Sequence, residues 1–149
     1  LLDHINAKRC PVPTLYILSD EAELDDSVAA YRKSLLYLVS NSFEPRRETP
    51  LLGMERFVNS NNKDLKNKSV LDPVVAKLFN SVSEHGWPNL VIANPSNIGD
   101  KKKPDWKPDI SASETHGGFD NDPYTMNAVL YRILGKKPSK AFEARGLQF

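Results

Sequence analysis

Two places in this chain carry residues suited to acid–base chemistry. The first is His116, set in Ser113-Glu114-Thr115-His116-Gly117-Gly118-Phe119-Asp120-Asn121-Asp122, where two glycines let the backbone turn tightly straight after the imidazole. The second is an acidic run, Asp20-Glu21-Ala22-Glu23-Leu24-Asp25-Asp26. An imidazole exchanges a proton near neutral pH, and a carboxylate beside it orients the ring and stabilises its protonated form. Three acids are candidates for that partner. Asp20 is nearest the preceding apolar run and follows the small Ser19, Glu23 comes after a few turn residues, and Asp25 is the third. The plain alternatives are a loop histidine bonded to backbone carbonyls and an acidic helix N-terminus favoured by its dipole.

Both segments must be positioned by regular elements. Thr14-Leu15-Tyr16-Ile17-Leu18 and Asn89-Leu90-Val91-Ile92-Ala93 are short, apolar and rich in strand formers, and they read as buried strands. Amphipathic helices alternate with them. One is capped by Asp26 or Ser27, carries Val28, Tyr31, Leu35, Leu36, Leu38, Val39 and Phe43, and is stopped by Pro45. Another has Asp72 as cap and Pro73 at its first position, and buries Val74, Val75, Leu78, Phe79 and Val82. The last repeats the device with Asp122-Pro123, buries Met126, Val129, Leu130, Ile133 and Leu134, and ends at Gly135. Asp120 and Asp122 suggest a cation site less than they suggest this cap. Residues 1–8 read as the end of a further helix. Residues 45–69 form an irregular insert around the apolar Thr49-Pro50-Leu51-Leu52-Gly53-Met54, and residues 94–115 form a long loop denied regularity by Pro95, Pro104 and Pro108.

The predicted fold class is therefore α/β: residues 1–149 as a single partial domain, a three-layer sandwich fragment with parallel strands and flanking helices. Two strands do not make a stable sheet alone, so further strands are expected from chain outside these residues or from another subunit. In parallel sheets ligands bind at the carboxyl ends of strands. The acidic run and the His116 loop both leave strands at that edge.

Composition narrows the function classes. A formal net charge of +1 over 149 residues gives no global field for nucleic acid or anionic lipid. No apolar run approaches the roughly 18 residues needed to span a membrane. Leu1-Leu2-Asp3-His4 shows no signal-peptide pattern and suggests a processed or truncated chain. The single cysteine, Cys10, cannot form an internal disulfide, which fits a reducing compartment such as the cytoplasm. Cys10 precedes the first strand, at the opposite edge from His116, so a Cys–His pair is not expected. His4, His85 and Cys10 lack metal-ligand spacing, and no Gly-rich phosphate loop follows either strand, so neither metal nor cofactor is expected. Lys101-Lys102-Lys103 with Trp106 and Lys107 reads as a solvated charge run rather than a phosphate contact, and Asn67-Lys68-Ser69 as a chance glycosylation triplet.

The layout resembles the C-terminal half of the α/β-hydrolase fold. The residues that carry the likeness are Thr14-Leu15-Tyr16-Ile17-Leu18-Ser19-Asp20 for an acid-bearing strand, Leu90-Val91-Ile92-Ala93 for the last strand, and Thr115-His116-Gly117-Gly118-Phe119-Asp120 for a histidine loop before a final helix. The order acid, then histidine, is the family's. The resemblance implies a serine hydrolase acting on an ester or related acyl bond of a small molecule, with His116 as general base and Asp20 or Glu23 as orienting acid. No G-x-S-x-G occurs in the chain, so the resemblance also implies that the nucleophile lies in a missing N-terminal half or a companion chain. The competing expectation is a non-catalytic interaction or assembly domain that completes its sheet with a partner and uses the tail from Ala141 to Phe149.

Overall fold

The computed structural model describes residues 13–26, 31–59, 72–99 and 104–147. The expected helix over 1–8, His4, Cys10, Val28, the 67–69 triplet, Lys101 to Lys103 and Phe149 lie outside the described residues. The fold is mixed α/β around a two-stranded parallel sheet. Strand β1 (Leu15–Leu18) pairs with β2 (Leu90–Ala93) in the register Leu15 with Leu90 through Leu18 with Ala93. Ile17, Leu18, Val91 and Ala93 are buried, as short apolar strands covered by helices require.

The acidic run is itself a helix, α1 (Asp20–Asp25). Ser19 caps it by accepting from the Ala22 N–H, and acids in its first turn complement the positive end of the peptide dipoles. Asp26 closes α1 instead of capping the next helix, and Ser27 lies outside the described residues. Ser34 caps α2 (Leu35–Leu38), which widens into a π-helical turn over Val39–Phe43. That wider turn shifts the phase of the apolar stripe, and Phe43, expected in the core, is 71% exposed.

The insert is not structureless. It contains α3 (Glu55–Val58), and Met54, Phe57 and Tyr37 make a buried cluster with Tyr31, Leu36 and Leu51 packed on it. Each large apolar side chain in that cluster stabilises the fold by about 1.5–3 kcal/mol.

Helix α4 (Pro73–Phe79) begins as predicted, with Asp72 accepting from the Val74 and Val75 N–H groups. It stops earlier than predicted: Val82 is 63% exposed and bridges antiparallel to Pro88. Helix α5 (Pro123–Leu134) starts on the Asp122 cap and ends on left-handed Gly135 at φ 66°. Its fully buried positions are Thr125, Asn127 and Ala128, and not the predicted Ile133 and Leu134, of which Ile133 is 75% exposed. Polar side chains explain this face. Asn127 bonds the Pro123 and Phe142 carbonyls and accepts from the Phe142 N–H, holding the tail onto α5. Leu147 of the tail is buried as well. Arg132 ties three distant segments together, donating to the Thr14 hydroxyl and to the carbonyls of Pro88 and Pro108. No helix among the described residues is long and apolar enough to cross a membrane.

Candidate active site

Helix α1 leaves the carboxyl end of β1, and its two buried residues are Asp20 and Glu23, which face inward about one turn apart. Their surroundings separate them. Asp20 is held by the insert: Arg56 donates from Nε to Oδ1 and from Nη2 to Oδ2, both at 2.8 Å, and the Tyr37 hydroxyl donates to Oδ1 at 2.8 Å. The Asp20 N–H in turn donates to Glu55 Oε2 at 2.8 Å. The Arg56 guanidinium stacks over the Tyr37 ring with its centre 4.6 Å from the centroid. Burial pushes the Tyr37 phenol pKa up and its bond to Asp20 adds to that, while the bond to Asp20 raises the pKa of Arg56. Asp20 is thus fully engaged in a structural network. Of the candidate partners for the histidine, Asp20 is the one that the structure places against Arg56 and Tyr37 instead.

Glu23 is the acid that meets His116. Glu23 Oε1 lies 2.9 Å from His116 Nε2; the carboxylate is 0% exposed and the imidazole 42%. The contact has hydrogen-bond length, but neither Glu23 oxygen accepts a well-aligned hydrogen bond. At 2.9 Å the carboxylate favours the protonated ring, through the short polar contact first and through charge second. Asp25, the third candidate, lies on the exposed side of α1.

The His116 loop is built to hold its shape. Helical 3₁₀ geometry over His116–Gly118 is closed by Gly118 N–H donating to the Thr115 carbonyl. Ser113 donates to the same carbonyl. A Cβ on Gly118 would fall 2.8 Å from Ser113 Oγ and 3.0 Å from Thr115 Oγ1, so only glycine fits there without displacement. The loop is fastened at both ends by Asp122, which accepts from the Ala112 N–H and the Thr125 hydroxyl while capping α5. Ser111 closes this network through Thr125, and its carbonyl accepts from the Asn94 N–H just past β2.

The contact with Glu23 raises the His116 pKa above its ordinary value; partial burial opposes this and Asp26 adds to it. Because the folded-state pKa is raised, the pair's contribution to stability is fully present below the unfolded value of about 6.5 and is lost as pH rises through the folded value. Chemical denaturation of wild type and His116→Asn should therefore show a stability gap at pH 5.5 to 6 that closes at higher pH. A gap independent of pH would mean that Glu23 does not hold the imidazolium.

A cavity of about 560 Å³ opens at the same strand edge, lined by Ser19, by Asp20, Glu21, Leu24 and Asp25 of α1, by Glu55 of the insert, and by Ile92, Asn94 and Asn97. Neither Glu23 nor His116 lines it. The acid–base assignment therefore rests on the pair's own geometry and not on this hollow.

His85, the other described histidine, packs tilted against Trp87 with centroids 4.7 Å apart, and its only acid neighbour among the described residues is the exposed Glu84, 3.8 Å away. Among the described residues no group of three or more His, Cys, Asp or Glu is placed to hold a metal ion. The residues that sequence reasoning missed are Tyr37, Glu55 and Arg56. The spacing of Met54, Phe57 and Val58 in the insert was the available helix signal, but nothing local says that Arg56 reaches back 36 residues to Asp20. No protein-family model matches the chain, and no curated protein or solved structure is recognisably similar to it.

Proposed function

We propose that this chain supplies the general base and its orienting acid to a hydrolase of an ester or related acyl bond, within a three-layer α/β-hydrolase-like sandwich. One observation carries the reading: a wholly buried carboxylate, Glu23, spends its buried charge on a partly exposed histidine 2.9 Å away, on the edge where strands of parallel sheets present their ligands. Burying a carboxylate without aligned donors is costly, and stability alone does not favour keeping one there. An acid–base pair with a solvent-reaching imidazole gives that cost a chemical return.

In this reading His116 removes the proton from an attacking hydroxyl and returns it to the leaving group. Glu23 holds the ring and stabilises the imidazolium formed in between. Nε2 faces the acid, which leaves Nδ1 as the nitrogen that moves the proton. The nucleophilic serine comes from a segment beyond these residues or from a companion chain, together with the strands that complete the sheet. No cofactor takes part.

The test is fluorophosphonate labelling of the full-length protein, read by intact mass and peptide mapping. One labelled serine outside this region, with labelling slowed by His116→Ala, is the expected result. A full-length protein that takes no label and cleaves no acyl ester overturns the reading.

A further inference from the structure

We infer that the insert is part of the site: Arg56, acting through Asp20, is a positioning residue that holds Glu23 against His116. The inference rests on the acid–base reading above for its functional meaning, but the geometry and its test stand without it.

Helix α1 is six residues long, too short to hold itself in water, so its orientation must come from what grips it. Its first residue is gripped from the insert on both sides of the peptide unit. The Asp20 carboxylate takes a two-pronged bond from Arg56, and the Asp20 N–H is taken by Glu55, the neighbouring residue on α3. Consecutive residues of α3 thus fix both the side chain and the backbone at the start of α1. Tyr37, from α2, adds the third hold, and its ring carries the guanidinium. Further along, Ser34 N–H donates to the Glu23 carbonyl and fixes the backbone of the acid itself.

Glu23 has no such hold on its carboxylate. Both oxygens lack an aligned donor, so nothing at the head group fixes its orientation beside the imidazole. Its placement is inherited from the helix, whose first residue is held by Arg56, Glu55 and Tyr37 and whose Glu23 carbonyl is held by Ser34. A planar guanidinium meeting a carboxylate through two parallel bonds fixes orientation as well as distance, which a lysine ammonium does not.

The sign of one measurement separates positioning from plain electrostatics. Removing a cation, and leaving Asp20 uncompensated, makes the surroundings of His116 more negative and favours its protonated form. Through-space effects of losing Arg56 therefore raise the His116 pKa or leave it alone. Displacing Glu23 does the opposite, because the largest cause of the raised value is lost.

The experiment follows the ring protons of His116 by NMR titration in the full-length protein, assigned by their disappearance in His116→Asn. The variants are Arg56→Gln and Arg56→Lys. Lysine keeps the charge and abolishes only the two-pronged geometry, so it remains informative if Arg56→Gln fails to fold. Arg132→Gln serves as a control that loosens the fold at another place. The expected result is a His116 pKa that falls toward that of an unpaired imidazole in both Arg56 variants and does not move in Arg132→Gln. An unchanged or raised value in a folded Arg56 variant, or an equal fall in Arg132→Gln, overturns the inference. Its failure is distinct from failure of the hydrolase reading: the titration needs no turnover, and His116→Ala retaining full activity would remove the catalytic role while leaving the clamp in place.

Discussion

Replacing His116 by asparagine in the full-length protein is expected to lower turnover of a chromogenic acyl ester on the order of 10⁴-fold or more while the thermal transition at pH 8 stays close to wild type. The chemical half of that expectation follows from the loss of the only imidazole that meets a buried acid among the described residues. The structural half follows from exposure. His116 is partly in water and fills no core position, and the stability its ion pair with Glu23 adds declines as pH rises through the folded pKa. Glu23→Gln sharpens the same test. It keeps the size of the side chain and removes a buried charge that has no aligned donor, so stability should hold or rise while turnover falls. Stability and activity moving in opposite directions is the mark of a residue kept for chemistry. If both variants turn over substrate at the wild-type rate, the pair is structural and the hydrolase reading fails with it.

Asp20→Ala is expected to cost about 3 kcal/mol of stability, read by urea denaturation as a lower midpoint at unchanged slope. The cost comes from what is left behind more than from what is removed. Without the carboxylate, the Arg56 guanidinium loses both of its bonds, and the Tyr37 hydroxyl, on a buried ring, loses its acceptor. Unmatched polar groups that are largely shielded from water forfeit part of their hydration without compensation. Asp20→Asn keeps one oxygen that can accept from Tyr37 and from Arg56 Nε while turning an amide NH2 toward Arg56 Nη2, and should lose less than the alanine variant. A loss below about 1 kcal/mol for the alanine variant would place Asp20 with ordinary surface ion pairs instead.

These two expectations assign different work to two carboxylates that sit one turn apart on one helix. No property of the run Asp20 to Asp26 makes that division. Both acids share the inward face of α1, and both stand just past a strand end. Arg56 decides between them. It arrives from an insert whose sequence looks irregular, takes Asp20 by a two-pronged bond, and so leaves Glu23 as the acid within reach of His116.

Much of the local structure is written in single residues, because their effect is confined to one turn of chain. Asp72-Pro73 and Asp122-Pro123 start helices, Gly135 ends one in the left-handed region, and the apolar runs at Leu15–Leu18 and Leu90–Ala93 make strands that pair in parallel. The order of acid segment, then histidine loop, at one sheet edge follows from these elements and was legible as well. What periodicity did not give is burial. Phe43, Val82 and Ile133 keep the helical spacing of core residues and are exposed, since spacing names a face and only the packed chain says whether anything covers it. The same limit hid the clamp on α1 and the choice of Glu23. Contacts between residues 36 apart depend on how the intervening chain returns, and that is set by the burial of Tyr37, Met54 and Phe57 together, a property of the assembled core and of no segment by itself.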